Sequence, residues 1–332
     1  MSSDQPIPTY YPYNPSHVLP IVFAVLIGGS LAPHIWQNFR YHYWRVTFFM
    51  FWGGLVYMTG WILRCLSSYH PGNKNLYLAQ TVFVLAGPPI YSAAEYNILG
   101  RLMRYVPMHA AINPTRIVIF FVYVGAAVEG LTVAGAARMG AAGENQALLK
   151  SGAVLVAIGT TMQAAVELVF VAMIAQLHYR CVKSNMNIRN VRNVCIMLYG
   201  TSTLVLLRCI FRGIEKFATA DIVKTGTCGA LCRTVILKEW YLYVFEAAPM
   251  VVYTYWLNFI HPAMFLPRKS TYYLGKDLVI RNGPGWVDGR ASWVTFFDPC
   301  DIRGTADKFW LRPDEWPVVS TGDVEPKSHS NA

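Results

Sequence analysis

The stretch LLRCIFRGIEKF, residues 206–217, places three charged side chains inside an otherwise apolar segment. Arg208, Arg212 and Glu215 are spaced i, i+4 and i+7, so in a helix they fall within about 60° of one another on one face. A charge near the centre of a bilayer costs on the order of 2.5 to 3.5 kcal/mol on insertion scales. If this segment crosses a membrane, its charged face must point into a bundle of helices.

The composition indicates that the whole chain folds against lipid. Of its 332 residues 54% are hydrophobic and only 14% are charged, and the mean hydropathy of +0.32 is too apolar for an ordinary soluble enzyme. The apolar runs lack the alternation of barrel strands and are long enough, at ~20 residues, to cross a bilayer as helices. We predict an all-α polytopic membrane protein with seven transmembrane helices, over residues 18–37, 46–66, 77–99, 116–137, 151–176, 195–215 and 240–260.

Basic residues near the helix ends predict the orientation. Twelve Lys and Arg lie on the side that holds the carboxyl terminus, whereas seven lie on the other side and none precedes the first helix. By the positive-inside rule the amino terminus is outside and the carboxyl terminus cytoplasmic. This topology explains the net charge of +10, so no nucleic-acid partner is predicted.

Three regions follow from this topology. Residues 1–17 form a short extracellular tail, residues 18–262 the seven-helix transmembrane domain, and residues 263–332 a cytoplasmic tail. The balanced charges and many prolines of the last region favour a loose tail. Its tryptophans nevertheless allow part of it to dock on the bundle; they are Trp286, Trp293, Trp310 and Trp316.

Three cysteines fall on the predicted outer face, where oxidation is possible. They are Cys65, Cys228 and Cys232. The spacing leaves open a disulfide between Cys65 and one of the other two, or free thiols.

The stripe on the sixth helix predicts partners on its neighbours. Glu246, six residues into the seventh helix, reaches a similar depth and is expected to pair with Arg208 or Arg212, because pairing lowers the free-energy cost of burying both charges. Arg64, at the outward end of the second helix, lies at the same level. These charges are either staples that hold the helices together or part of a binding pocket, and the two roles are compatible.

A second polar group lies near mid-membrane. Glu129 in the fourth helix and Glu167 in the fifth, with Gln163 nearby, could relay protons or hold the amine of a cationic amphiphile. The alternative is a protonated carboxyl group hydrogen-bonded to the next helix. Glu95 and Arg101 lie nearer the predicted cytoplasmic end of the third helix, and we expect both to be anchors that reach water.

Several classes of seven-helix protein require residues that are missing. The seventh segment has no lysine for a retinal Schiff base, and no helical His-x-x-x-His pair suggests a zinc site. Neither a phosphate-binding loop of the G-x-x-x-x-G-K-[ST] type nor a G-x-S-x-G nucleophile motif is present. We therefore predict that the protein is not an enzyme and has no metal or cofactor.

Five segments carry a resemblance to a known family. They are PIYSAAEYNILGRLMR (89–104), GTTMQAAVELVF (159–170), LRCIFRGIE (207–215), EWYLYVFEAAPM (239–250) and the pair His261-Pro262. Together they resemble the fungal lipid-translocating exporters, the RTA-like seven-helix proteins. The resemblance implies that a charged outer cluster is formed by Arg208, Arg212, Glu215, Glu239 and Glu246. Other positions that recur in the family are matched by Arg64, Tyr96, Arg101 and Gln163.

The sequence departs from the family pattern at three places. Tyr57 stands where the family tends to have a carboxylate, Gly125 and Thr132 replace the usual Asp and Gln, and Glu246 stands where Asp is commoner. The fold should tolerate these changes, but the substrate could differ from a sphingoid base.

The resemblance implies a multi-pass plasma-membrane protein whose partners are membrane lipids. We predict efflux or flipping of sphingoid long-chain bases or similar cationic amphiphiles, with resistance to toxic amphiphiles as the result. Glu246, Glu215 or Glu129 would bind the head of the amphiphile, and Arg208 and Arg212 would keep those carboxylates ionised. The alternative is a receptor or sensor of lipids or membrane stress, which seven helices and a cytoplasmic tail would also suit.

Overall fold

Each of the seven predicted segments corresponds to a helix, to within one residue at the start of the first and the end of the last. The computed structural model describes residues 10–110, 113–143, 145–186, 188–284, 291–298 and 313–319. The helices that form the bundle are α1 (Leu19–Tyr41), α2 (Trp44–Tyr69), α3 (Lys74–Tyr105), α4 (Pro114–Ala141), α5 (Gln146–Lys183) and α6 (Arg189–Thr225), followed by the short α7 (Ala230–Val235). The seventh helix of the bundle, residues 240–259, consists of α8 (Trp240–Leu242), a π-helical turn (Tyr243–Ala247) and α9 (Ala248–Phe259).

Five of these helices are each long and apolar enough to cross a membrane. They are Leu19–Tyr41, Trp44–Tyr69, Arg116–Ala141, Gln146–Lys183 and Arg189–Val223. The fold is therefore that of a mostly helical membrane protein, as the composition predicts. Most of the helices extend several residues beyond the predicted spans, since polar ends can continue a helix outside the apolar layer.

The helices form a closed ring in sequence order. Each helix from α1 to α6 packs against the next, and α9 closes the ring by packing against both α6 and α1. Helix α3 also contacts α6, so its second half is almost completely buried. Pro88 and Pro89 lie inside a continuous α3.

Small residues bring two helix pairs into close contact. A Cβ atom at Gly60 of α2 would lie 2.8 Å from the backbone nitrogen of Val84 in α3. A Cβ atom at Gly152 of α5 would lie 2.7 Å from the carbonyl oxygen of Gly135 in α4. Both glycines therefore allow backbones to approach more closely than any other residue would, as is common between membrane helices.

The bundle has two ends, which we name by the chain segments that cover them. At the N-terminal face, residues 10–18 cross the end of α2, where Tyr11 Oη donates a hydrogen bond to Ser67 Oγ (2.8 Å). At the C-terminal face, Arg101 near the end of α3 donates to the backbone carbonyls of Pro267 (2.8 Å) and Arg268 (2.9 Å). Residues 1–9 of the predicted extracellular tail lie outside the described residues.

The expectation of a loose C-terminal tail is wrong for its first part. Strands β1 (Tyr272–Leu274) and β2 (Ile280–Asn282) form an antiparallel hairpin, β1 is buried, and it contacts α3. The ring of Trp316 lies 4.6 Å from that of Tyr273, and α10 (Ser292–Phe297), which contains Trp293, contacts α4. Apolar side chains therefore hold this part on the bundle, whereas Trp286 and Trp310 lie outside the described residues.

Of the two alternatives left open for the outer cysteines, a disulfide of Cys65 with Cys228 or Cys232 is wrong, and free thiols are confirmed for Cys65 alone. Cys228 and Cys232 are joined to each other in the connection around α7, and Cys65 is a free thiol. A separation of four residues at the start of a short helix places the two sulfur atoms together without help from the rest of the bundle.

Candidate functional site

The charged stripe of α6 binds one carboxylate of the seventh helix. Arg208 Nε lies 2.9 Å from Glu246 Oε1, and Arg212 Nε lies 2.8 Å from Glu246 Oε2. Arg208 is 1% exposed, Arg212 is 5% exposed and Glu246 is 0% exposed. The predicted pairing of Glu246 is therefore confirmed, and both arginines take part in it.

A π-helical turn positions Glu246. The turn spans Tyr243–Ala247 and ends just before Pro249, whose ring cannot accommodate the carbonyl of residue 245 in a regular α-helix. The widened turn is stabilised from α2, where the hydroxyl of Tyr57 donates to the carbonyl oxygen of Glu246 (3.2 Å). Proline and tyrosine together therefore fix the backbone that presents the carboxylate to α6.

The stripe continues toward the N-terminal face. Arg212 Nη1 lies 2.7 Å from Glu215 Oε2, and Lys216 Nζ lies 3.1 Å from Glu215 Oε1. The side chain of Glu215 is 22% exposed, unlike that of Glu246. Arg212 thus connects a sealed carboxylate with one that solvent or a ligand can reach.

A second ion pair joins α2 to the segment that leads into α8. Arg64 Nη2 of α2 lies 2.8 Å from Glu239 Oε1 and donates to the hydroxyl of Tyr13 (2.8 Å). The hydroxyl of Tyr243 and the backbone nitrogen of Ser16 also donate to Glu239, each at 2.8 Å. Burial raises the pKa of Tyr13, so its phenol stays neutral and Glu239 is the counter-ion of Arg64.

Both ion-pair clusters face one cavity, which we call the outer cavity. It has a volume of about 390 Å³ and lies at the N-terminal face between α3, α4, α5, α6 and the segment that leads into α8. Residues Tyr10, Pro12 and Tyr13 of the N-terminal segment line it, and Leu78, Leu85 and Phe211 are among its apolar walls. Its charged lining residues are Arg64, Lys74, Arg212, Lys216 and Lys238, with the acidic Glu215 and Glu239.

The mid-membrane residues come together apart from the outer cavity. Glu129, Gln163 and Glu167 line a small cavity of about 20 Å³, with Pro89 and Tyr96 of α3 on its other side. One oxygen each of Glu129 and Glu167 has no hydrogen-bond partner within the described part of the chain. The space is about that of one water molecule, so this cluster is a polar layer and has no room for a headgroup.

The expectation that Glu95 reaches water is wrong. Glu95 is 0% exposed, and its Oε2 accepts a hydrogen bond from Ser202 of α6 (3.3 Å). It lies close enough to Glu167 for the two carboxyl groups to interact, and Tyr253 of α9 is beside it. Because α3 packs against α6 as well as against α2 and α4, a position near its end is still enclosed by neighbours, whereas Arg101, two turns later, does anchor the C-terminal face.

The structure adds residues that sequence reasoning missed. Tyr13 and Ser16 contact the ion pair of Arg64, Gln80 accepts a hydrogen bond from Arg64 Nη1 (3.3 Å), and Lys216 completes the stripe. Lys216 directly follows Glu215 and Gln80 is a polar residue in an apolar helix, so both gave a sequence signal. Nothing in residues 10–17 indicated that this segment folds back over the bundle.

Comparison with known proteins identifies the family. The family model described as RTA1-like protein matches residues 50–269, which include α3 to α9 and most of the charged residues above. The chain belongs to the RTA1-like family. No solved structure matches this RTA1-like protein.

Its relatives include proteins named for lipid transport. A lipid-translocating exporter-like protein RTA1 of Leptosphaeria maculans is 30% identical over 86% of this chain and 57% of its own length. A protein of the same name from Ajellomyces capsulatus is 28% identical over 76% of this chain and 80% of its own length. Protoporphyrin uptake protein 1 of Saccharomyces cerevisiae is 29% identical over 61% of this chain and 64% of its own length. This chain therefore spans little more than half the length of the first of these relatives.

Proposed function

We propose that this RTA1-like protein moves lipids or lipid-like amphiphiles across the membrane and takes the headgroup of the lipid into the outer cavity. The observation that carries the proposal is the cavity itself, which combines a charged lining with apolar walls at one end of a membrane bundle. Such a combination suits a molecule with a polar head and an apolar tail. The names of two relatives as lipid-translocating exporters support the same class.

The proposed arrangement in the membrane follows the distribution of basic residues. The N-terminal face, with the outer cavity, is outside, the C-terminal face is cytoplasmic, and all seven helices cross the plasma membrane. The domain boundaries at residues 17 and 262 belong to this proposal.

The finer proposal concerns the headgroup. We infer that the cargo is a sphingoid long-chain base or a similar cationic amphiphile, whose export would give resistance to toxic amphiphiles. Glu246 has no part in binding, because both its oxygens are occupied by arginines and it is sealed from the cavity. Glu215 takes this role, since it lines the cavity and is partly exposed.

Binding by Glu215 requires an exchange of partners. Its two oxygens already contact Arg212 and Lys216, so an incoming ammonium group must displace the amine of Lys216. Lysine is the more easily displaced of the two, because its contact is longer and its flexible chain can swing into the cavity. Because the headgroup ammonium would replace a similar contact of the Lys216 amine, it could bind and leave Glu215 without a large change in free energy.

A flipping assay in liposomes tests this proposal. Purified protein is reconstituted, and movement of a fluorescent long-chain base between leaflets is compared for the wild type, Glu215→Gln and Asp221→Asn. Asp221 is the matched control, an exposed acid on α6 that does not line the cavity. Removal of one charge-assisted contact should slow flipping about tenfold or more for Glu215→Gln and leave Asp221→Asn unchanged.

Several outcomes would contradict the proposal at different levels. Equal rates for Glu215→Gln and the wild type would remove the role of Glu215. Faster flipping of an amphiphile with an acidic head than of the long-chain base would favour the basic side chains of the cavity as the binding groups. No flipping of any amphiphile in liposomes would favour the receptor or sensor alternative, because such a protein is not expected to move lipids itself.

A further inference from the structure

A second cavity opens at the C-terminal face, at the far end of the bundle from the outer cavity. It has a volume of about 500 Å³ and lies between the start of α2, the end of α3 and the start of α4. Three arginines line it, and we call it the arginine pocket; they are Arg45, Arg101 and Arg104. No Asp or Glu is among the described residues that line it.

The arginines form a concentrated positive field. Arg104 lies within electrostatic range of both Arg45 and Arg101. Arg101 is held in place because its guanidinium donates to the hydroxyl of Tyr43 (3.2 Å) and to two backbone carbonyls of the C-terminal segment. These partners are neutral, so they orient the cation without cancelling its charge. A ligand that fits this field must be an anion.

An apolar groove continues directly from the arginine pocket. The groove has a volume of about 550 Å³ and runs along α2 and α4, where Phe48, Phe49, Val122 and Tyr123 line it. The pocket and the groove share Trp44, Arg45, Asn97, Val118 and Ile119, so the two adjoin each other. A free phosphate would fill the pocket alone, whereas a lipid would also fill the groove.

We propose that the arginine pocket and its groove hold one anionic phospholipid. Its phosphate and acidic head lie among the three guanidinium groups, and an acyl chain lies along Phe48, Phe49 and Val122. Guanidinium groups bind phosphate through paired hydrogen bonds, and basic pockets between membrane helices suit acidic headgroups. The site is separate from the outer cavity and does not rest on the transport proposal.

The arginines would also satisfy the positive-inside rule without any bound lipid. Their convergence on one pocket distinguishes the two explanations, because a topological signal requires only that the charges lie near the membrane surface. Arg40, at the end of α1, supplies such a charge without lining either cavity. It therefore provides a matched control for Arg45, which is also exposed and lies five residues later.

Lipid binding can be measured on the full chain in detergent by native mass spectrometry. The probes are phosphatidylserine, phosphatidylcholine and inorganic phosphate, tested on the wild type, Arg45→Gln, Arg40→Gln and Ile119→Trp. We expect phosphatidylserine to remain bound to the wild type and to Arg40→Gln, and to bind about tenfold or more weakly to Arg45→Gln. The bulky indole introduced by Ile119→Trp should weaken binding by obstructing the groove while leaving the arginines in place.

Three results would overturn the proposal. One is equal loss of phosphatidylserine from the Arg40→Gln and Arg45→Gln variants, which would mean that only the total positive charge matters. Another is binding of phosphatidylcholine as tight as that of phosphatidylserine, which would remove the role of the head. The last is displacement of phosphatidylserine by millimolar inorganic phosphate together with normal binding by Ile119→Trp, which would identify a free-phosphate site.

Discussion

Two layers of this RTA1-like protein bury carboxyl groups in opposite ways. Glu246 meets two arginines, and its backbone is held by Tyr57. Glu95 and Glu167 are equally buried, but within the described residues neither forms an ion pair with a lysine or arginine. A carboxylate without a counter-ion in such surroundings is far less stable than a neutral carboxyl group. We therefore expect the carboxyl group of the first layer to be ionised and those of the second layer to be neutral.

This difference separates a carboxylate with fixed ion-pair partners from carboxyl groups whose hydrogen-bond partners can change. The Glu246 layer is sealed, and an exchange of partners there would leave an arginine unpaired in the membrane interior. The Glu95 and Glu167 layer borders a small cavity and has oxygen atoms without hydrogen-bond partners in the described part of the chain. Of the sequence-based roles, the staple fits Glu246 and the protonated carboxyl group fits Glu167.

The largest expected effect comes from removing the charge of the ionic layer. Glu246→Gln removes the acidic partner of Arg208 and leaves Arg212 with Glu215 alone, and breaking a buried ion pair in this way costs about 3–5 kcal/mol. Thermal unfolding of the purified protein in detergent should show a large loss of stability. The charge stripe would then be a requirement for folding, and weak flipping by this variant would say nothing about binding.

The double variant Arg208→Met with Glu246→Met serves as its control. Removing both charges avoids an uncompensated carboxylate and leaves Arg212 with Glu215 as a partner. The double variant should therefore lose less stability than the sum of the two single variants. Additive losses would show that the ion pair is not a coupled unit.

A smaller effect is expected at the second ion pair, which is closer to solvent. Arg64→Met removes the contacts with Glu239, Tyr13 and Gln80, but Glu239 keeps the hydroxyl of Tyr243 and the backbone nitrogen of Ser16 as donors. Since hydrogen bonds to charged groups contribute about 1.5–3 kcal/mol, we expect a loss of about 2 kcal/mol in the same unfolding assay. Arg233→Met, an exposed arginine of α7 near the same face, is the control and should change stability little. Equal losses for both variants would mean that the Arg64 cluster adds no specific stability.

The sequence predicted the ionic layer well because its signal is local. The spacing of Arg208 and Arg212 fixes one face of a helix, and the depth of Glu246 follows from counting along the next helix. The helices themselves follow from apolar runs of membrane length. Little further information is needed to predict that two helices adjacent in sequence pair these side chains.

The features that the sequence did not predict depend on long-range packing. The N-terminal segment binds Glu239 from 223 residues away, and the hairpin at residues 272–282 docks on α3, although its composition resembles that of a loose tail. Glu95 was expected near water because depth along a helix says nothing about how many neighbours surround it. Because this hairpin is docked, deletion of residues 268–332 would remove a folded part of the protein and would not test a signalling tail alone.

The smallest expected effect is in the neutral layer and gives the most direct test of the comparison. Glu167→Gln replaces a protonated carboxyl group by an amide of nearly the same shape, so the stability should change by less than about 0.5 kcal/mol in the unfolding assay. Glu246→Gln, the same chemical change at a similarly buried site, supplies the contrast. A loss for Glu167→Gln as large as that for Glu246→Gln would mean that Glu167 is ionised in the folded protein and has a cationic partner. In that case burial without an arginine would not identify a neutral carboxyl group, and the distinction between the two layers would fail.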